Sequence, residues 1–228
     1  MFWDVLTRGR SGFALSLGLA AGLGTLLMPT SVATHPHVWV TARAELVFDE
    51  GVMTTVRHVW QFDEAYTAFA IQGLDENDDG MLSDQELQPL AKVNVESLEE
   101  FDFFTFVAGG ESEASFAPPT EYWLDFNSGK LTLFYALSLK TPLRMDNGDL
   151  TIEVFDPSYF VDFQMVKEDP VLATNLPNGC SLAFEGPEEI DSQLAATLAE
   201  IPATVTDLPP EFMAVTETLS NKATVSCP

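Results

Sequence analysis

Two stretches of alternating apolar and polar side chains lie near the start of the chain, at residues 38–48 and 52–62. A period of two puts successive side chains on opposite faces of a strand, so each stretch predicts a half-buried β-strand. Asp49, Glu50 and Gly51 separate them, and glycine tolerates the positive φ that a hairpin turn requires. Residues 38–62 therefore predict a β-hairpin that pairs Ala42 with His58, and the fold must bury one face of it.

The rest of the chain predicts more strands and a few helices. The strands are expected at residues 120–126, 130–139, 149–155, 159–166, 181–184 and 223–226, and the helices after Asp63 and at residues 87–101, 187–200 and 210–220. The predicted fold class is α+β: an antiparallel β-sandwich or open sheet with C-terminal helices. A helix-loop-helix is expected as an insertion at about residues 63–103 of a single domain, residues 34–228.

The first 33 residues have the three parts of a secretion signal. Arg8 and Arg10 are positive, residues 11–27 are apolar, and small residues end the segment at Ala33. We expect cleavage after Ala33, a periplasmic location and no membrane insertion after cleavage. The alternative is an uncleaved anchor, for which the apolar stretch is slightly short.

The charge of the chain limits its partners. It carries 35 acidic and 10 basic residues, a formal net charge of −25, yet 46% of its residues are hydrophobic and 17 are Phe. The apolar content predicts a folded core, whereas the negative charge repels nucleic acid. Metal ions are the partners that such a surface favours.

Residues 75–86 match the calcium loop of an EF-hand. The predicted ligands are the side chains of Asp75, Asn77, Asp79, Ser83 and Glu86 and the backbone carbonyl of Met81. Gly80 occupies the position of the sharp turn, and Ser83 with Glu86 forms a capping box that begins the second helix. The alternative is a solvated acidic turn without an ion. The sequence contains no second such loop, and Pro89 is expected to bend or break the second helix, so a structural site is favoured over a switch.

The three histidines of the chain predict different roles. His35 and His37, two residues apart, are tentative ligands for Zn²⁺, Ni²⁺ or Co²⁺, with the amino group of Thr34 and a carboxylate to complete the site. Their alternative is a plain surface role. His58 falls on the apolar face of the hairpin, so we expect a hydrogen-bonded core histidine rather than a third ligand.

Two cysteines, Cys180 and Cys227, are present. In an oxidising compartment they predict one disulfide, while a two-thiol metal site would need closer spacing. The sequence has no H-E-x-x-H, G-x-S-x-G or glycine-rich phosphate motif. No enzymatic activity is predicted, although an exported metal-dependent hydrolase stays open as an alternative.

Five internal stretches resemble a bacterial family of exported proteins of unknown function, which is labelled as the periplasmic component of an uncharacterised ABC-type transport system. They are His-Pro-His-Val-Trp-Val at 35–40, Trp-Gln-Phe-Asp-Glu at 60–64, Lys-Val-Asn-Val-Glu-Ser-Leu at 92–98, Phe-Asp-Phe-Phe-Thr at 101–105 and Asp-Pro-Ser-Tyr-Phe at 156–160. The terminal Cys-Pro is also similar. The resemblance implies a link to the transport of zinc, nickel or cobalt.

Together these observations predict a periplasmic calcium-binding accessory protein that handles a transition metal, with a membrane metal transporter as partner. The chain is too short for the two lobes of a solute-capturing receptor, and it lacks a βαβ pattern. The alternative is a calcium-stabilised structural or protein-interaction module with no transition-metal role.

Overall fold

A computed structural model describes residues 36–110, 112–144, 148–189, 192–199 and 215–228. The predicted signal segment, the proposed cleavage site and His35 lie outside these residues. The strands are β1 Val38–Asp49, β2 Val52–Phe62, β3 Thr105–Gly109, β4 Ser112–Glu113, β5 Tyr122–Asn127, β6 Lys130–Arg144, β7 Leu150–Val154, β8 Val161–Met165, β9 Val171–Thr174, β10 Ser181–Glu185 and β11 Asn221–Ser226. The helices are α1 Glu64–Ala70, α2 Asp84–Leu98 and α3 Ser192–Ala199, and a kinked 3-10 segment, Glu99–Phe104, follows α2.

These elements form two open sheets, which confirms the predicted α+β class. The larger sheet has the order β5-β6-β2-β1-β8, with β9 also pairing with β1, and the smaller sheet has the order β10-β11-β7-β3-β4. Most pairs are antiparallel, but β8 and β9 both run parallel to β1 and lie end to end along it. At this edge the sequence predicted β8 but not β9, and the expected antiparallel direction does not hold for either strand.

The predicted hairpin is present, but its predicted register is wrong by two residues. His58 lies opposite Ala44, and Ala42 lies opposite Trp60. Two local features cause the shift. The turn has only two residues, Glu50 and Gly51, both at positive φ, and a bulge near Met53 adds one residue to β2. Because the total shift is even, the residues from Val56 to Phe62 keep their predicted faces, whereas between the turn and the bulge the buried side chain is Met53 and not Val52.

Both sheets contribute to one hydrophobic core. The larger sheet buries one face of β1, β2 and β6, the smaller sheet buries one face of β3, β7 and β11, and the buried side chains form a single cluster. Helix α2 adds Leu87, Ala91 and Val95 to this core. Pro89 was expected to bend or break this helix, but α2 continues through it, since the proline is exposed while those three neighbours anchor the helix. The predicted break is therefore wrong.

The C-terminal part of the described chain is fastened to the smaller sheet. The structure contains the predicted Cys180–Cys227 disulfide, which joins the start of β10 to the end of β11 across 47 positions. The buried Asn221 amide donates hydrogen bonds to the carbonyls of Val154 and Phe163, one in each sheet. Of the helix predicted at residues 210–220, the structure describes 215–220, where a helical turn spans 215–218.

Removal of the disulfide should destabilise the protein. We expect the Cys180→Ser/Cys227→Ser variant to lose roughly 2–5 kcal/mol of unfolding free energy, because the unfolded chain is no longer constrained. Urea denaturation followed by circular dichroism measures this loss. Reduced wild type is the control and should match the variant; equal midpoints for the variant and oxidised wild type would contradict the expectation.

Candidate functional site

The inserted helix-loop-helix is fixed to the hairpin at its first residue. Asp63 caps α1: its Oδ1 accepts hydrogen bonds from the backbone N–H groups of Ala65 and Tyr66, at 2.7 and 2.9 Å. Its Oδ2 accepts a further bond from the N–H of Trp39 in β1, at 2.9 Å. One carboxylate therefore begins α1, as predicted, and ties it to β1 of the larger sheet.

The first half of the acidic loop is organised by its own carboxylate and amide oxygens. Asp75 accepts hydrogen bonds from the N–H groups of Asp79 and Gly80, at 3.2 and 2.9 Å, and Asn77 Oδ1 accepts from Asp79 at 2.8 Å. Gly80 has φ +79°, a conformation that strains other residues, so its predicted role in the sharp turn is met. These contacts bring the side chains of loop positions one, three and five onto the same turn.

Glu86 closes the loop from its far end. Its Oε1 accepts a 3.0 Å bond from the N–H of Glu76, and its Oε2 accepts bonds from the N–H and hydroxyl of Ser83, at 2.8 and 2.7 Å. The predicted capping box is present at the start of α2. The backbone N–H of Ser83, then its hydroxyl, and the N–H of Glu76 lower the pKa of Glu86, which keeps this carboxylate ionised.

The donor set of the loop fits a hard cation, with two departures from a preformed site. Asp75, Asn77, Asp79, Ser83 and Glu86 all offer oxygen atoms, which Ca²⁺ prefers. However, α1 ends at Ala70, well before the loop begins. In the described parts of the chain, no three His, Cys, Asp or Glu side chains converge as metal ligands would. The carboxylates face backbone N–H groups of the loop instead.

Of the two proposed transition-metal ligands, the structure describes only His37. Its backbone N–H donates to the carbonyl of Phe160 at 2.8 Å, and its ring lies 4.7 Å from the Phe160 ring, measured between centroids. Its Nε2 is covered from solvent. His37 is therefore packed at the start of β1, beside the turn that precedes β8.

His58 is a core histidine, as predicted. Its side chain is 1% exposed, stacks on Tyr135 of β6, and places Nε2 3.1 Å from the hydroxyl oxygen of Thr105. That hydroxyl donates its one hydrogen to the carbonyl of Phe103, so it must accept from His58. The proton of the neutral imidazole therefore sits on Nε2. Because Thr105 begins β3, this bond links the two sheets.

An apolar cavity lies beside the helix-loop-helix and was not predicted. It has a volume of about 370 Å³ and opens to the surface. Its walls come from β1, β2, β6 and β8, from Tyr66 of α1, from the C-terminal half of α2, and from the segments that follow α2 and β7. The five stretches on which the family resemblance rests all contribute to it, although they are far apart in the chain. These stretches were visible in the sequence, but only the structure shows that they meet at one cavity.

The fold and this site define the class: an α+β protein in which two open sheets share one core and carry an inserted helix-loop-helix. The chain belongs to the family described as Protein of unknown function (DUF1007), whose model matches residues 20–227. The resemblance noted in the sequence was also to a family of unknown function, and the two agree in that respect. Within the described residues, no helix is both long and apolar enough to cross a membrane.

Two relatives are also uncharacterised. An uncharacterised protein of Haemophilus influenzae is 18% identical over 170 residues, which cover 74% of this chain and 77% of the relative. An uncharacterised 15.5 kDa protein in the trpE 3′ region of Spirochaeta aurantia is 28% identical over 98 residues, 42% of this chain and 69% of the relative. Neither name states an activity.

Burial of His58 makes stability depend on pH. Desolvation lowers its pKa from 6.5 to about 3, so the unfolded chain binds a proton that the folded chain refuses as the pH falls below 6.5. The contribution of neutral His58 to stability is therefore fully present above pH 6.5, and it is lost progressively as the pH falls from 6.5 toward 3. Between pH 7.5 and 5 this group should account for about 2 kcal/mol of lost unfolding free energy.

The His58→Gln variant, which cannot titrate, tests this directly. Urea denaturation at several pH values gives the unfolding free energy of both proteins. Between pH 7.5 and 5, the variant should lose about 2 kcal/mol less of it than wild type. His35, His37 and every carboxylate are common to both proteins, so the difference isolates His58. Parallel pH profiles would disprove the assignment.

Proposed function

We propose that this protein is an exported calcium-binding accessory protein. The observation that carries the proposal is the loop at residues 75–86, where oxygen donors stand at the spacing Ca²⁺ requires and an ionised Glu86 closes on the loop start. Calcium would draw the carboxylates of Asp75, Asp79 and Glu86 onto one ion. The acidic surface, with its net charge of −25, favours cation binding further.

The role we assign to calcium is structural. Helix α2 begins at the loop and is held to the core by Leu87, Ala91 and Val95, while α1 is held to β1 through Asp63. Both helices therefore already have fixed positions, and an ion in the loop would stabilise the connection between them. The single loop also lacks a partner EF-hand in the sequence with which to bind cooperatively.

Calcium should raise the thermal stability of wild type and leave the Glu86→Gln variant unchanged. Gln keeps the capping box, so the variant should fold, but it removes the negative charge that would hold the ion. At a free calcium concentration of 100 times Kd, wild type should gain about 2.7 kcal/mol. Calorimetric titration and thermal unfolding with and without Ca²⁺ measure both quantities.

Asp78→Asn is the matched control for this experiment. Asp78 lies in the same loop and is exposed, but it stands at a non-ligand position, and Asn tolerates its positive φ of 56°. The control should bind calcium nearly as tightly as wild type. Equal losses in both variants would mean that the ion responds only to the total charge of the loop, and the proposal would fail.

The proposal extends to a periplasmic location and a transition metal handled for a transport system. It is supported by the signal-like N-terminus, by His35 and His37 at the start of the mature chain, and by the transport label of the family that the chain resembles. The packing of His37 sets a condition on such a site. Because its ring lies on Phe160 and its Nε2 is enclosed, the ring must turn away from Phe160 before this nitrogen can bind an ion.

Elemental analysis of protein purified without a chelator tests this extension. We expect close to one Zn, Ni or Co per chain, lost in the His35→Ala/His37→Ala variant, because imidazole nitrogens are the ligands these metals prefer. Bound calcium should be the same in both proteins. The His58→Gln variant serves as control and should retain the metal; unchanged metal content in the double variant would refute the role of His35 and His37.

A calcium-stabilised protein-interaction module is the second candidate. One observation favours it: Trp123 is 52% exposed and lies flat against Phe134, with ring centroids 4.8 Å apart, on the outer face of the larger sheet. Exposed aromatic side chains of this kind are enriched in protein interfaces. On this reading, the His35→Ala/His37→Ala variant would behave like wild type in every metal assay.

A further inference from the structure

We propose that the cavity beside α2 is a binding site for an uncharged, largely apolar small molecule. Ligand pockets in proteins commonly have volumes of about 300–1,000 Å³ and apolar walls with a few polar groups. This cavity, at about 370 Å³, is at the lower end of that range. Its size therefore suits a medium-length acyl chain or a small aromatic molecule.

The polar groups in the wall are mostly engaged with one another. Asp156 accepts three hydrogen bonds, from the N–H and hydroxyl of Ser158 and from the N–H of Val161, at 2.7–2.9 Å. Asn94 accepts a 2.8 Å bond from the hydroxyl of Tyr66 and donates to the carbonyl of Leu90. These groups fix the shape of the wall, and they leave its inner surface apolar.

Trp60 is the exception. Its side chain lines the cavity and is 1% exposed, yet its indole Nε1–H has no hydrogen-bond partner among the described residues. The same nitrogen is enclosed by protein, so a ligand in the cavity meets the apolar ring of Trp60 and not its N–H group.

The charges of the wall exclude ionic ligands. Among the described residues that line the cavity there is no Lys, Arg or His, and the one charged group is Asp156. A carboxylate or phosphate would be desolvated next to a negative charge and without a cationic partner, which is strongly unfavourable. A cation would meet a carboxylate whose oxygens already accept three hydrogen bonds. A neutral ligand remains.

The mouth of the cavity is partly apolar as well. Phe101 lines it and is 52% exposed, which is unusual for a side chain of this size, and its ring stacks on Phe104 at 5.4 Å between centroids. Ser97 of α2 lines the same opening and is also exposed. A bulky side chain at position 97 would therefore narrow the cavity and leave the core intact.

Binding of N-phenyl-1-naphthylamine, a neutral fluorescent probe, tests the proposal. Its fluorescence should rise on binding to wild type, and 2-decanone should displace it, while decanoate should compete at least about tenfold more weakly. Ser97→Trp should weaken probe binding by about tenfold or more. The control is Val93→Trp, an exposed position of the same helix outside the cavity, which should leave binding unchanged.

Three results would count against the proposal. Absence of probe binding, equal competition by decanoate and 2-decanone, or Ser97→Trp binding like Val93→Trp would each overturn it.

Discussion

The pairing of β1 with β2 holds His58 and Trp60 on the inner face of the larger sheet, and the buried part of the molecule is arranged around these two side chains. A two-residue turn and one bulge set the register. A shift by one residue would instead turn both side chains to the outer face. His58 then could not reach Thr105 of the smaller sheet, and Trp60 could not line the cavity. The inter-sheet contact and the cavity thus depend on the same pairing.

A histidine in the core is acceptable here because only its neutral form is needed. Thr105 uses its single hydrogen on Phe103 and accepts from His58, which selects the imidazole tautomer without any charged partner. Burial holds the pKa at about 3, so the ring is neutral throughout the physiological range. Burial of this histidine lowers the unfolding free energy only in acid, where the unfolded state takes up the proton. The hydrogen bond gives the two sheets one polar contact among many apolar ones, and a polar contact is more directional than apolar packing.

Local features of this protein were readable from its sequence, and features that join distant segments were not. The hairpin, the capping box at Ser83 and the facing of His58 depend on neighbours along the chain, and all three were predicted correctly. The helix break predicted at Pro89 does not occur, because burial of Leu87, Ala91 and Val95 outweighs one missing helical hydrogen bond. The parallel pairing of β8 and β9 with β1 and the cavity arise only when segments more than a hundred residues apart meet. The pattern of residues along one sequence does not indicate which distant segments pair or pack together.

Helix α2 connects the acidic loop to the cavity. Its fifteen residues span about 22 Å, with the loop at its N-terminus and Asn94, Ser97 and Leu98 in the cavity wall toward its C-terminus. At that far end, the hydroxyl of Tyr66 joins α1 to Asn94 of α2. The two helices are therefore fastened to each other beside the cavity and linked by the loop at the opposite end. An ion in the loop would complete this closed unit and change its rigidity more than its shape, because the position of the cavity wall is already set by the core contacts of α2 and by the Tyr66 bond. A stabilising ion and a ligand cavity can thus occupy the two ends of one helix without a conformational switch between them.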